Sequence, residues 1–291
     1  MTPKPTITYA SAPRQAQVLF GEDGSGKTRA AISLAVAFPG QTTYIVSPQD
    51  GESWIETQFG GLENLVRLPV SNFTDIRAWV RGTAALTSSF EKEQLTYPEA
   101  GWPGLRTVVV PGDTIVLDMI DEQAETFLRD YYCLRYHRKT FADMLLAKGA
   151  KDKKGVFLDM WDDIDPDAWQ KMKALADDAY RWVYNNPRIN VFMTCRATDV
   201  PMKRDGTPVY KVAPEYVRLG VQPHVPEVVK YGTNNVVYMS RKGQAGWQAQ
   251  FVRKNRVMGG AVDTKPFDVG PVYWYDFAAK VGIDPALVPG L

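Results

Sequence analysis

Eight residues, Gly21 to Thr28 (GEDGSGKT), constrain this chain more than any other stretch. They fit G-x-x-x-x-G-K-[ST], and their flanks supply the setting such a loop needs. Gln17 to Phe20 reads as a short buried strand ahead of it, and Thr28 to Phe38 (TRAAISLAVAF) as a helix stopped by Pro39-Gly40. A strand that delivers the chain to a glycine-rich turn, followed at once by a helix, gathers backbone N–H groups around one point. The positive end of the helix dipole faces the same point. Gly21, Gly24 and Gly26 can take backbone angles that a side chain forbids. Lys27 is placed for the β- and γ-phosphates of a nucleoside triphosphate and Thr28 for a Mg²⁺ ion. With Arg29 opening the next turn, the expected binding set is Gly21, Glu22, Asp23, Gly24, Ser25, Gly26, Lys27, Thr28 and Arg29.

The rest of the chain reads as strands alternating with helices. Thr42 to Ser47 is a β-branched, aromatic strand that runs into the turn Pro48-Gln-Asp-Gly51, and Asn72 to Leu86 can form a helix. Asp113 to Ile120 (DTIVLDMI) is an almost unbroken apolar run, as in a strand buried on both faces, and Asp121 to Arg138 follows as a helix. Another helix is expected from Asp165 to about Tyr184, and another buried strand from Ile189 to Thr194. Residues 235–240 and 247–252 form a hairpin, and a short helix is expected near 276–280. Such alternation predicts an α/β fold, a mostly parallel sheet with helices on both faces and a C-terminal β-hairpin. The organisation that follows is a flexible lead-in at 1–14, one domain over 15–258 and a tail at 259–291. Proline and glycine mark insertions near 91–111 and 196–230, the second read as mostly extended loop.

Hydrolysis asks for more than the loop. It needs an acid to hold the metal and a group to orient water. Asp118, at the C-terminal end of an apolar strand, is the candidate for the first, because a carboxylate in that setting calls for a partner or a metal. Asp121 is better placed to cap the following helix. For the second role Asp50 and Glu52 compete with the plain reading of their segment as a β-turn. Thr194 and Arg196 lie where a γ-phosphate can be sensed. Arg253-Lys254-Asn255-Arg256 is either a solvated strand end or a cationic finger for a neighbour's site.

Taken in order, GEDGSGKT at 21–28, QDGE at 49–52, TIVLD at 114–118 and RKNR at 253–256 with a trailing Gly259 resemble the RecA-like P-loop ATPases. Within them the chain resembles the phage-type nucleotide-binding proteins of single-strand annealing and recombination, over roughly 15–258. The resemblance implies Mg-dependent ATP hydrolysis, with Lys27, Asp50, Glu52, Asp118, Lys254 and Arg256 as catalytic residues and Thr28 and Asp118 around the metal. It favours the acidic turn, Asp50 ahead of Glu52, as the water-orienting element. It also implies a homo-oligomeric ring or filament in which Lys254 and Arg256 act in trans, although here an extra residue separates Arg256 from Gly259 and Met119 replaces a frequent serine after Asp118. Single-stranded DNA is the implied partner, held by cationic loops at 148–154 and 198–211. Three alternatives stay open: a DNA-packaging or other P-loop motor, which would usually carry a nuclease domain with clustered metal-binding acids; a small-molecule phosphotransferase; and a non-enzymatic switch in which ATP binding only drives assembly.

Composition narrows this further. A net charge of +1 gives no global pull toward nucleic acid, so any such contact is local. Two cysteines, Cys133 and Cys195, and two histidines are too few for a zinc site or a disulfide framework. No run approaches the roughly 18 apolar residues of a membrane span. A soluble, cytoplasmic protein is the expectation.

Overall fold

The computed structural model of the chain describes residues 12–47, 53–69, 111–123, 189–225, 229, 233–243, 246–255 and 264–291. Within them lie nine strands: β1 (Ala16–Gly21), β2 (Thr43–Ser47), β3 (Leu65–Pro69), β4 (Thr114–Leu117), β5 (Asn190–Asp199), β6 (Val221–Pro223), β7 (Asn235–Lys242), β8 (Gly246–Asn255) and β9 (Phe267–Val269). The helices are α1 (Lys27–Ile32), α2 (Leu34–Ala37), α3 (Ser53–Phe59), α4 (Pro214–Leu219) and α5 (Tyr273–Val281). The sheet runs β3-β2-β4-β5-β1-β7-β8-β9, with β6 added antiparallel to the outer end of β5. From β3 to β7 every pairing is parallel; β8 and β9 close one edge antiparallel. The fold is the expected α/β class.

Alternation along the strands builds two cores. Val18 and Phe20 of β1 join Val191, Met193 and Cys195 of β5 on one face, where Tyr216 of α4 packs. Leu19 and Phe192 point the other way, into a layer made by α1, α2, α3 and α5 with Ile32, Ile55, Trp274 and Phe277. Burial on both faces is why these strands read as continuous apolar runs.

Several elements depart from the sequence reading. The first helix is interrupted at Ser33, whose hydroxyl donates back to Ala30 O (2.7 Å) and accepts the Tyr273 N–H (2.9 Å), so a serine bond to α5 replaces a regular turn. The stretch 196–230, read as mostly extended loop, also carries regular elements at both ends of its long loop. β5 continues to Asp199, β6 pairs with it, and Pro214 opens α4 in the first-turn position that tolerates its missing N–H. The short α3, β3 and β9 carry too few residues for their periodicity to stand out. Asp121 does not act as a simple helix cap: its carboxylate is buried and takes the Arg196 Nε–H at 2.6 Å. From 267 onward the chain is built into the sheet and the α1 layer through β9 and α5. The expected helices at 72–86 and 165–184, most of the helix at 121–138 and most of the insertion near 91–111 lie outside the described residues.

At the end of the sheet away from the loop, buried Asn190 binds three separate segments. Its Oδ1 accepts from Gln15 N (2.9 Å), and its Nδ2 donates to Gly112 O (3.0 Å) and Pro289 O (2.8 Å).

Candidate nucleotide-binding site

Parallel pairing sets the C-terminal ends of β1, β4, β5 and β7 side by side. Gly21 stands level with Arg196 of β5 and Met239 of β7, and Leu117 level with Met193. The loop 21–28 leaves this edge and enters α1. Gly24 (φ 71°) and Gly26 (φ 84°) take left-handed backbone there, which a side chain adopts only with strain. Lys27 Nζ lies over the loop, 2.8 Å from Glu22 O and 3.1 Å from Gly21 O. Burial lowers its pKa, opposed by the charges of Asp23, Asp118 and Asp121 among others.

β5 separates β1 from β4, and that interposition assembles the acidic side of the site. Asp118 follows β4 and is nearly buried, 7% exposed. Its Oδ1 accepts from Thr28 Oγ1 across the loop (2.6 Å) and from Thr194 Oγ1 on β5 (2.5 Å). Thr194 Oγ1 also accepts the N–H of Met119 (2.9 Å), a residue held at φ 53°. Burial pushes the Asp118 carboxyl above the usual carboxylate range, with the two threonine hydroxyls and Lys27 pulling the other way.

This donor set fits a small hard cation. A threonine hydroxyl and one carboxylate are the share of a Mg²⁺ shell that a protein supplies when phosphate oxygens and water complete the octahedron. Among the described residues no group of three or more His, Cys, Asp or Glu side chains could hold a metal.

A cavity of about 270 Å³ opens beside the loop, lined by Gly24, Gly26, Lys27, Thr28, Arg29, Trp54, Gln58 and Trp247. The Arg29 guanidinium stacks on the Trp247 ring, 4.7 Å from its centroid, and its buried Nε has no partner. Trp54, Gln58, Trp247 and the nearby Arg241 were not singled out from sequence. On β8 the alternation Trp247, Ala249, Phe251 held the signal for one of them, since it carries the core face out to Trp247 at the edge of the loop.

The structure thus brings Gly21 to Arg29 together with Asp118 and Thr194. Arg196 instead pairs with Asp121, and its NH1 lies 3.9 Å from Glu122. Asp50, Glu52 and Arg256 lie outside the described residues, as does the loop at 148–154. Lys254 belongs to β8, but at the wrong end for this chain's own loop. Asn255 pairs with Asn235 and Asn235 with Gln17, four residues before Gly21, or about 13 Å along the strand.

No protein-family model matches the chain, and no curated protein matches it. Among solved structures it is similar to the RadB recombinase, at 11% identity over 90% of each chain with a TM-score of 0.45. It is also similar to the flagellar accessory protein FlaH from Methanocaldococcus jannaschii, at 13% identity, covering 90% of this chain and 88% of that one, with a TM-score of 0.40. Similarity at that level leaves the chemistry to be read from this chain's own residues.

Proposed function

We propose that the chain is a Mg-dependent ATPase of the RecA-like kind that binds single-stranded DNA, in phage-type recombination or replication. The observation that carries the reading is Asp118 Oδ1 held between Thr28 of the loop and Thr194 of the intervening strand. Buried hydroxyl and carboxylate oxygens concentrated at a glycine-loop anion site suit a metal–triphosphate complex better than they suit a structural polar contact.

In this reading the triphosphate lies along the loop with Lys27 on its β- and γ-oxygens. Thr28 and Asp118 hold Mg²⁺, which would neutralise charge on the phosphates. The base occupies the cavity against Trp54 and Trp247, where Arg29 supplies a further cation. Asp50 or Glu52 orients the attacking water. Lys254, at the far end of β8 from this chain's own loop, and Arg256 serve a neighbouring subunit, so the working form is a homo-oligomer. The described part of the second DNA loop supports the partner. It is a turned finger closed by Lys203 N to Thr207 O (2.7 Å) and projects from the nucleotide end of β5. It exposes Met202, Val209 and Tyr210 beside Lys203, Arg204 and Lys211, and cations interleaved with an aromatic ring suit a strand of stacked bases.

The test is ATP turnover by purified protein with and without single-stranded DNA, with Lys27→Ala as control. Turnover that rises with DNA and vanishes in the variant supports the reading. Turnover indifferent to DNA, with no DNA retained at low salt, would remove the DNA half and leave an ATPase with another partner.

A further inference from the structure

The tip of the β7–β8 hairpin reaches past the sheet and touches the phosphate loop from outside. Arg241 and Trp247 are directly opposed in the ladder, so their side chains share one face. Both donate to the same atom, the carbonyl oxygen of Gly24: Arg241 Nε at 3.1 Å and Trp247 Nε1 at 3.3 Å. The approach is close. A Cβ on Gly24 would lie 2.5 Å from the Arg241 guanidinium, and one on Gly26 would lie 2.8 Å from the Trp247 ring.

The C=O of Gly24 and the N–H of Ser25 belong to one planar trans peptide and point opposite ways. Two donors on the outer carbonyl therefore hold the Ser25 N–H on the opposite side, where it donates to Glu22 O (3.2 Å). Gly24 is left-handed and carries no side chain, so without the outside grip only the Ser25–Glu22 bond would hold this peptide against turning over. The hairpin itself is firmly based. Phe251 packs on Phe267 and Phe277 at ring distances of 5.7 Å each, while the surface pair Lys242–Asp268 adds little.

We propose that Arg241 and Trp247 form a latch that presets the phosphate loop, fixing the Gly24–Ser25 peptide by its carbonyl before the triphosphate arrives. The latch rests on the reading that the loop binds a triphosphate. It makes both side chains positioning residues, acting through the loop backbone. Trp247 has a second role as a cavity wall, which its ring performs without the N–H.

Calorimetric titration with Mg·ATP separates these roles. Arg241→Ala, and Trp247→Phe, which keeps a ring against Arg29 but loses the donor, should each weaken binding by roughly three- to tenfold. Because the two share one acceptor, the double variant should fall short of the product of the single effects. Thermal midpoints should stay near wild type, and Lys242→Ala at the same tip should bind normally. Wild-type binding matched by both variants would overturn the latch and leave the triphosphate site intact. Losses that track a fall in thermal midpoint, or that multiply independently, would also overturn it, since they mark general hairpin damage or unrelated contacts. Failure of wild type itself to bind Mg·ATP would sink the triphosphate reading and the latch with it.

Discussion

Replacing Thr194 by valine keeps the shape of a buried strand residue and deletes one oxygen. That oxygen donates to Asp118 Oδ1 at 2.5 Å and accepts the Met119 N–H at 2.9 Å. Loss of the first contact removes a charge-assisted hydrogen bond of about 1.5–3 kcal/mol. Loss of the second strands a backbone donor on a residue already in left-handed backbone, at about 1–3 kcal/mol. Together the expected destabilisation is about 2.5–6 kcal/mol, and at roughly 2–4 °C per kcal/mol the melting midpoint falls by roughly 5–24 °C. Thr194→Ser keeps the oxygen and should recover most of that loss.

The same substitution has a pH signature. Burial raises the Asp118 carboxyl and the Thr194 hydroxyl pulls it down, so valine raises it further. Its folded-state pKa lies above the unfolded one, so the folded chain holds this proton more tightly. Without a cation, the carboxyl therefore makes the fold less stable as pH rises through the folded pKa. Mg·ATP binding uses the ionised form and has the opposite slope: full above the folded pKa, lost as pH falls through it. In Thr194→Val that loss should begin at a higher pH. Melting curves and titrations over a broad range of pH read both effects. A valine variant with wild-type melting and a wild-type pH profile would refute the arrangement drawn around Asp118.

Gly26→Ala forces a Cβ to 2.8 Å from the Trp247 ring at φ 84° and should abolish nucleotide binding, read by titration, with the fold retained by circular dichroism. Asn190→Ala leaves Gln15 N, Gly112 O and Pro289 O to find other partners in a buried knot; about 2–4 kcal/mol should disappear from denaturant unfolding, with nucleotide affinity intact. Replacing Lys203 and Arg204 with alanine should weaken single-stranded DNA retention, flatten its salt dependence and leave DNA-free turnover unchanged, as a filter-binding series over ionic strength would report.

The parts of this chain most legible in sequence are those whose chemistry is local. GEDGSGKT is contiguous, and Asp118 announces itself as a lone acid in an apolar strand, so the loop and its acidic partner follow from residue order. Strands β1, β4 and β5 are buried on both faces, which prints an unmistakable apolar run. The elements missed are those defined by partners distant in sequence. The outer end of β5 is a strand because Val221 to Pro223 pairs with it, and proline content there points the wrong way. Arg196 looks like a phosphate sensor until Asp121 is found beside it, since a strand sequence does not say which acid its neighbour presents. Arg241 and Trp247 carry no motif at all. Only the hairpin register, which makes them face each other over Gly24, gives them meaning.

One strand carries a further consequence for kinetics. β8 carries Trp247 near its start, at its own chain's loop, and ends with Lys254 and Asn255 at the opposite ends of the strands. If 253–256 serves a neighbour, each chain is half of two different catalytic units and all of none. Specific activity should then climb with protein concentration where a self-contained enzyme would stay flat. A chain disabled at Lys27 and a chain disabled at Lys254 and Arg256, each inert alone, should regain turnover on mixing, because one supplies the loop and the other the cations. Inert mixtures would make β8 an ordinary edge strand.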